Sequence, residues 1–413
     1  MQWETVAAGL IFTVTYALIA VRRMGGADIR MPYAAAAGAV LMVLTGIVSP
    51  SEAADSIDFG TLFLLLGMML MASALEVCGF FDIAVSVLIR NAVTGRRFLL
   101  TVMVLSAVLS AVMLNDAVVL LLTPAVIGCC ISLKARPVPY LVGTFVSANI
   151  GSAATAVGNP QNAYIASKAG IDFLTFSGYM VPLSVMCLIA SYLILAHVFS
   201  KDLGMQPAEP AAMPADRTGL KVLIALLICT MAMFALSGIV GLELYQIALC
   251  AGALALLVAC TRGRAAAVRT VTRVDWGVLL FFIGLFVIMA GAVDTGLVSA
   301  VADLFPGFSD GSPSIGEMTL FSSVLSNLIS NVPAVMLIGE MVPVGDTALW
   351  MTLAASSTLA GNMTLIGAAA NVIVEEEAEK EGRALGFTEY LKAGIPVSAV
   401  TLAMTWAWCT LVF

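Results

Sequence analysis

Amide and hydroxyl side chains are concentrated at four points of an otherwise apolar chain. Two of these points, Asn115-Asp116 and Ser330-Asn331, are short, and two are longer stretches that also hold glycine, from Asn149 to Asn162 and from Thr358 to Asn371. Buried amides are costly unless they are paired, so their recurrence predicts a polar binding site. The candidate binding residues are Asn115, Asp116, Asn149, Ser152, Thr155, Asn159, Asn162, Ser330, Asn331, Asn362, Thr364 and Asn371.

Asp116 is the acid that the sequence places deepest within an apolar segment. An intramembrane carboxylate is by default a proton or cation site, so Asp116 is the candidate for proton coupling. No Lys or Arg is expected at that depth, which favours a neutral solute or a cation over a polyanion. The sequence contains no phosphate-binding loop, catalytic triad or metal-ligand cluster, so we predict neither an enzyme nor a cofactor or metal site.

The rest of the chain requires the bilayer as its solvent. Of its 413 residues, 61% are hydrophobic and 11% are charged, which leaves too little polar surface for a soluble domain. Apolar stretches of about 20 residues, the length of a spanning helix, recur along the chain. We predict an all-α membrane protein with about 11 transmembrane helices and two re-entrant hairpins.

The basic residues predict the orientation. In the predicted topology all 19 Lys and Arg residues except Lys168 lie on the cytoplasmic side, which places the N-terminus outside. The segment 98–133 is about two helices long and has basic residues at both ends, so it is predicted to return to its starting side. A non-helical tip at membrane depth is tolerated only inside protein or beside water, which makes this tip a candidate site.

An internal repeat divides the chain. The stretch that begins at Asp58 resembles the one that begins at Asp275, and Asn115 falls opposite Asn331 at nearly the same offset. The two copies begin on opposite sides of the predicted membrane, so the repeat is of inverted topology, as in many secondary transporters. The predicted units are an N-terminal half 1–198 with hairpin 98–133 and broken helix 139–168, a cytoplasmic linker 199–219, and a C-terminal half 220–413 with hairpin 318–340 and broken helix 347–374.

These stretches resemble the ion transporter superfamily over essentially the whole chain. That superfamily includes ArsB-type arsenite permeases, citrate transporters, sodium/proton antiporters of the NhaD type and divalent-anion sodium symporters. The resemblance implies that hairpin tips and broken helices hold the substrate in a mobile domain with an elevator mechanism, and that the chain forms a homodimer. The symporters carry Ser-Asn-Thr at both tips, whereas this chain has Leu114-Asn115-Asp116 at one and Ser330-Asn331-Val332 at the other.

Resemblance to the arsenite permease branch implies arsenical resistance by proton-coupled efflux of arsenite and antimonite from the cell inner membrane. Asp116 would carry the proton, and the amides around it would bind the substrate hydroxyls. The expected partners are arsenite or antimonite, protons, the lipid bilayer, a second copy of the chain and a separate ATPase subunit if ATP is used, but no nucleic acid. Sodium- or proton-coupled transport of a carboxylate or other anion, sodium/proton antiport, and a non-transporting scaffold or channel are the alternatives.

Overall fold

A computed structural model describes residues 2–21, 23–24, 27–28, 30–204, 218–303, 305–309, 313–383 and 385–413. Most of the predicted linker, 205–217, lies outside the described residues. The described chain is helical apart from loops and one antiparallel pair of two-residue strands, which confirms the all-α prediction. Its elements are α1 Gln2–Val21, β1 Arg23–Met24, β2 Ala27–Asp28, α2 Met31–Leu44, α3 Pro50–Asp55, α4 Phe59–Val77, α5 Phe80–Asn91, α6 Gly95–Val112, α7 Asn115–Ser132, α8 Val138–Ser152, α9 Pro160–Ala169, α10 Phe173–Val198, α11 Thr218–Val240, α12 Leu244–Thr261, α13 Arg264–Thr272, α14 Trp276–Asp294, α15 Leu297–Ala302, α16 Pro306–Ser309, α17 Ile315–Ile329, α18 Asn331–Gly339, α19 Thr347–Ala360, α20 Ala369–Lys380 and α21 Phe387–Val412.

Nine helical stretches of the described chain are long and apolar enough to cross a membrane. They include both α6 and α7, the two helices of the segment predicted as the first hairpin, and they count α13 and α14 as one stretch. Helices α2 and α17 are apolar but shorter. The protein is therefore a multi-pass membrane protein, as its composition predicts.

The repeat extends to the packing of the helices. Helix α4 packs most extensively against α12, and its repeat counterpart α14 packs against α2. Each contact is close because a glycine lies at the crossing: Gly67 of α4 lies against the backbone of Ala248, and Gly284 of α14 lies against Ala35. Small residues let two helices approach closely within a membrane. Each half therefore supplies a helix to the core of the other half.

Aspartates at related positions of the two repeats cap the N-termini of α4 and α14. The Asp58 carboxylate accepts a hydrogen bond from the Thr61 backbone N–H at 3.2 Å, and Asp275 accepts one from Val278 N–H at 3.2 Å. Such caps satisfy backbone donors that the first turn of a helix leaves unpaired. The resemblance between the two stretches thus has a local structural cause.

The core lies around α8 and α19. Every residue from Pro139 to Ser152 is buried, as is every residue from Leu349 to Ala360. Both helices stop halfway along the segments predicted as broken helices, and the chain resumes helix at Pro160 and at Ala369. The first non-helical connection, 153–159, is buried throughout, and the second, 361–368, is mostly buried although Ile366 is exposed. Both lie where the polar stretches of the sequence fall.

Candidate substrate-binding site

The two interior connections are braced in the same way by repeat-related asparagines. The Asn162 side-chain nitrogen donates to the carbonyl oxygens of Ser152 at 3.1 Å and Thr155 at 3.0 Å. The Asn371 side-chain nitrogen donates to the carbonyl oxygens of Gly361 at 2.7 Å and Thr364 at 3.0 Å. Buried carbonyls at a helix end need partners, and the amides supply them.

Asn149 joins the two halves. Its side-chain nitrogen donates to Oδ1 of Asn362 at 2.8 Å and Oδ1 of Asn371 at 3.0 Å. Its own Oδ1 accepts a hydrogen bond of 3.3 Å from the side-chain nitrogen of Asn115, at the start of α7. All four side chains are buried. Three of the four predicted polar points therefore meet here. We call these four residues, together with Asn162, the repeat counterpart of Asn371 that braces the end of α8, the amide junction: Asn115, Asn149, Asn162, Asn362 and Asn371.

A second set of contacts crosses between the halves beside this junction. The side-chain nitrogens of Asn159 and Gln161 lie 3.4 Å and 3.1 Å from the Thr358 hydroxyl, and Asn159 also donates to Oγ of Ser152 at 3.0 Å. The backbone N–H of Asn162 donates to Oδ1 of Asn159 at 2.8 Å, which caps α9. The N-terminal end of α9 is thereby fixed against the second half.

The tip of the first hairpin is attached to the broken helix of its own repeat. Helix α6 ends at Val112 and α7 begins at Asn115, whose backbone N–H donates to the Gly158 carbonyl at 3.0 Å. A methyl group at Gly158 would lie against main-chain oxygens of α8 and α6, including that of Ser110 at 2.8 Å. Only glycine allows the tip and the connection to approach so closely.

The second tip contacts Gly367, the glycine related to Gly158, through a side chain where the first tip uses a backbone N–H. With its amide nitrogen turned toward its acceptors, Asn331 donates to the carbonyls of Gly367 and Ser357, both at 3.2 Å, and to Oγ of Ser326 at 2.7 Å. The residue before it, Ser330, has φ +78° and ψ 158°, whereas Leu114 at the first tip has φ −63° and ψ 128°. The second tip is therefore the strained one.

Two oxygens of the amide junction have no partner among the described residues. They are Oδ1 of Asn115 and Oδ1 of Asn162, and both belong to buried side chains. Buried polar atoms are rarely left unpaired without a reason, and an uncompleted ligand site is one such reason. Both atoms are acceptors, so they suit a ligand that donates hydrogen bonds or a cation.

Thr155 and Thr364 lie at the edge of the site. The Thr155 hydroxyl donates to the carbonyl of Ala111 at 2.6 Å, and the Thr364 hydroxyl donates to Oδ1 of Asn327 at 3.3 Å. Ala111 and Asn327 occupy related places on the first arms of the two hairpins. Both threonines therefore hold a connection to a hairpin arm, which is a positioning role.

Asp116 lies outside the amide junction. It lines a neighbouring cavity of about 110 Å³ together with Leu114 and Pro160, which flank the junction. The same cavity is lined by Glu76, Arg273 and Asp275, and Arg273 forms an ion pair with Glu76. A basic residue, Arg273, therefore lines the same cavity as Asp116, and its side chain is 46% exposed. The sequence places Arg273 in a loop after α13, and only the packing of α4 and α14 brings that loop to the first hairpin.

Several participants are absent from the predicted site residues. Gln161 and Thr358 lie inside the predicted stretches, and Thr358 occupies the repeat position of Asn149, so the repeat itself signals it. Asn327 belongs to α17, and its repeat position is Ala111, so it has no such signal. The Tyr390 hydroxyl of α21 donates to the carbonyl of Asn362, a contact that no local pattern indicates.

The fold and the site together define a class of protein. Spanning helices accompany two broken helices, and the tip of the first hairpin meets both of them in a buried polar junction formed by the two repeats. Such an arrangement is characteristic of secondary transporters, which hold the substrate at discontinuous helices. The protein is a multi-pass secondary transporter.

The chain belongs to the citrate transporter (CitMHS) family, whose profile matches residues 16–347. An uncharacterized transporter of Mycobacterium tuberculosis is 30% identical over 97% of this chain and 96% of its own. The silicon efflux transporter LSI3 of Oryza sativa subsp. japonica is 29% identical over 89% of this chain and 90% of its own. A transporter of Dictyostelium discoideum named arsB is 25% identical over 88% of this chain and 84% of its own.

The fold is shared with a solved structure. The YdaH transporter of Alcanivorax borkumensis superimposes with a TM-score of 0.61 at 17% sequence identity, over 99% of this chain and 98% of that one. The family and the relatives confirm the superfamily that the sequence motifs predict.

Proposed function

We propose that the chain exports arsenite and antimonite across the cell inner membrane in exchange for protons. The observation that carries this proposal is the chemistry of the amide junction. Its described hydrogen-bond partners are amides, hydroxyls and backbone carbonyls, with no Lys or Arg among them. A buried site without cations is poorly suited to a polyanion, because a buried charge must be paired. It suits an uncharged polyol-like solute such as arsenous acid, As(OH)3.

The two unpaired oxygens favour a ligand rich in hydroxyl groups. Oδ1 of Asn115 and Oδ1 of Asn162 are acceptors without protein donors among the described residues. Each could accept a hydrogen bond from an As–OH or Sb–OH group. Helices α7 and α9 begin next to each other, and the positive ends of their dipoles favour the hydroxyl oxygens of such a ligand.

Two relatives support an uncharged molecule with several hydroxyl groups as the substrate class. One is a silicon efflux transporter and the other bears the name arsB. Dissolved silicon at neutral pH is silicic acid, which, like arsenous acid, is uncharged and presents only hydroxyl groups. A site built from amides and hydroxyls is equally suited to both.

In the proposed cycle, Asp116 carries the proton. Its carboxyl group lines a cavity next to the junction, where it can exchange protons with water while the substrate is bound nearby. The hairpins and broken helices move as an elevator against the remaining helices, with the N-terminus outside. The proposed unit is a homodimer, and a separate ATPase subunit is an additional partner only if ATP raises the export rate.

Carboxylate transport is the second candidate, and the arrangement of helix ends favours it. Helices α7, α9, α18 and α20 all begin at the tips and interior connections. The positive ends of helix dipoles stabilise anions, and the family includes citrate transporters by its description. In this case the helix N-termini would replace the missing cationic side chains.

Transport into everted membrane vesicles distinguishes these functions. With an acid interior and no sodium, vesicles that contain the chain are expected to accumulate arsenite, and Asp116→Asn is expected to abolish the dependence on the proton gradient. Sodium-dependent movement of citrate or succinate without arsenite accumulation would support the second candidate instead. Loss of interior acidity on addition of sodium alone would indicate sodium/proton antiport.

A further inference from the structure

The cavity that contains Asp116 lies between two groups of helices. One wall belongs to the hairpin and the broken helices, with Asp116 on α7, Pro160 on α9 and Ile373 on α20. The other wall belongs to α4 and the start of α14, with Glu76 and Arg273. The cavity therefore borders the amide junction on one side and the surrounding helices on the other.

The charges of this cavity have no counterparts in the other repeat. The positions related to Glu76, Asp116 and Arg273 by the repeat offsets are Val293, Val332 and Ser56. In contrast, Asp275 has the counterpart Asp58, because both residues cap helices. The other repeat has the same fold with uncharged residues at the positions of Glu76, Asp116 and Arg273. The charges of these three residues therefore have a function other than helix packing.

The Arg273–Glu76 pair has the exposure expected at the mouth of the cavity. The Arg273 side chain is 46% exposed and the Glu76 side chain is 17% exposed. Ion pairs in contact with water contribute little to stability, so this pair can open and close thermally. Both residues lie on the side that the basic residues predict to be cytoplasmic, since Arg273 follows the arginines of α13.

We propose that the Arg273–Glu76 ion pair is the cytoplasmic gate of the substrate pathway, an inference that rests on the proposed transport function. When the pair is closed, it covers the cavity that contains Asp116 and borders the amide junction. When it opens, a neutral solute or a cation can enter. The cavity is lined by three carboxylates and one guanidinium: Glu76, Asp116, Asp275 and Arg273. This excess of negative charge makes the entrance unfavourable to anions.

A cysteine within the cavity can report the state of the gate. Ser73 of α4 is buried and lines the cavity, and it takes no part in the amide junction. The Ser73→Cys variant of the full chain is labelled with a membrane-impermeant cationic methanethiosulfonate in everted and in right-side-out vesicles. The same chain without the added cysteine measures the background from the eight native cysteines.

Labelling of Ser73→Cys is expected from the cytoplasmic face only. Addition of Glu76→Gln is expected to raise the labelling rate by about fivefold, the most that loss of a water-exposed ion pair allows. Exchange of the charges, Glu76→Arg with Arg273→Glu, is expected to restore the slow rate. The matched control is Ser167→Cys. Ser167 lines a separate cavity of about 500 Å³ beside α4, α11 and α12, and Glu76→Gln should not change the labelling of this cysteine.

Equal labelling of Ser73→Cys from both faces, or an unchanged rate in Glu76→Gln, would overturn the gate. If Glu76→Gln is not inserted into the membrane, Arg273→Gln tests the same pair. Because labelling requires no substrate, this result is independent of whether arsenite is carried. Arsenite transport with an unchanged labelling rate would reject the gate alone, and a responsive gate without arsenite transport would reject the proposed substrate alone.

Discussion

Replacement of Asn149 by Asp should disable the protein, although the two side chains have nearly the same shape. The substitution keeps Oδ1, which accepts from Asn115, but removes the nitrogen that donates to Asn362 at 2.8 Å and Asn371 at 3.0 Å. An oxygen would then face two oxygens. We expect the initial rate of arsenite accumulation in everted vesicles to fall by at least about 30-fold.

The magnitude follows from the two lost donations. Loss of a partner for a buried group costs about 1–3 kcal/mol in soluble proteins, while hydrogen bonds between transmembrane helices average about 0.6 kcal/mol. Because repulsion between the facing oxygens adds to this cost, we take about 2 kcal/mol as the total cost of losing the two hydrogen bonds. It corresponds to about a 30-fold smaller population of the assembled site.

The assay needs a control that leaves the junction intact. Ser147 lies on the same helix and is equally buried, but its hydroxyl donates only within α8, to the carbonyls of Gly143 and Thr144. Ser147→Ala should therefore transport within about twofold of the wild type, since a single hydrogen bond within a helix contributes little. Asn149→Asp with a rate within threefold of the Ser147→Ala rate would refute the role assigned to the junction.

Three further predictions concern the tips and the periphery. Ser330→Gly should raise the free energy of unfolding in detergent by about 1 kcal/mol because it relieves a positive φ, whereas Leu114→Gly at the unstrained tip should lower the thermal midpoint. Gly158→Ala should abolish transport in vesicles, because its methyl group would contact main-chain oxygens of two helices; wild-type activity would show that the tip is not held there. Lys168→Met removes the exposed ion pair with Glu340 and should lower the free energy of unfolding by less than about 1 kcal/mol. A larger loss would show that this pair is important for stability.

The all-helical fold and the polar junction could be predicted from the sequence because the bilayer makes polar residues conspicuous. Asn149, Asn162 and Asn371 lie in stretches that no lipid-facing helix would carry, and the structure buries all three and joins Asn149 to Asn371. The repeat offset pairs Asn162 with Asn371, and their braces are the same. These predictions depend on local composition and on internal similarity, which a single sequence contains.

Contacts between distant segments were not predictable in this way. Asp116 and Asn115 are neighbours in the chain, yet one lines the cavity and the other enters the junction, because both belong to the first turn of α7, where successive side chains point in different directions. Arg273 reaches the cavity only because α4 and α14 are held near each other. The positive φ of Ser330 also has no signal in its sequence, since serine is an ordinary residue for a loop.

Equilibrium binding to the purified protein directly tests whether the amide junction binds an uncharged solute rich in hydroxyl groups. Arsenite binding is measured in sodium-free buffer near pH 7 for the wild type and for Asn115→Leu, which removes an unpaired acceptor at similar size and retains all eight cysteines. The wild type is expected to bind arsenite and Asn115→Leu to lose most of this binding, while citrate does not compete. Equal arsenite binding by both proteins, or displacement by citrate in the presence of sodium, would contradict this expectation.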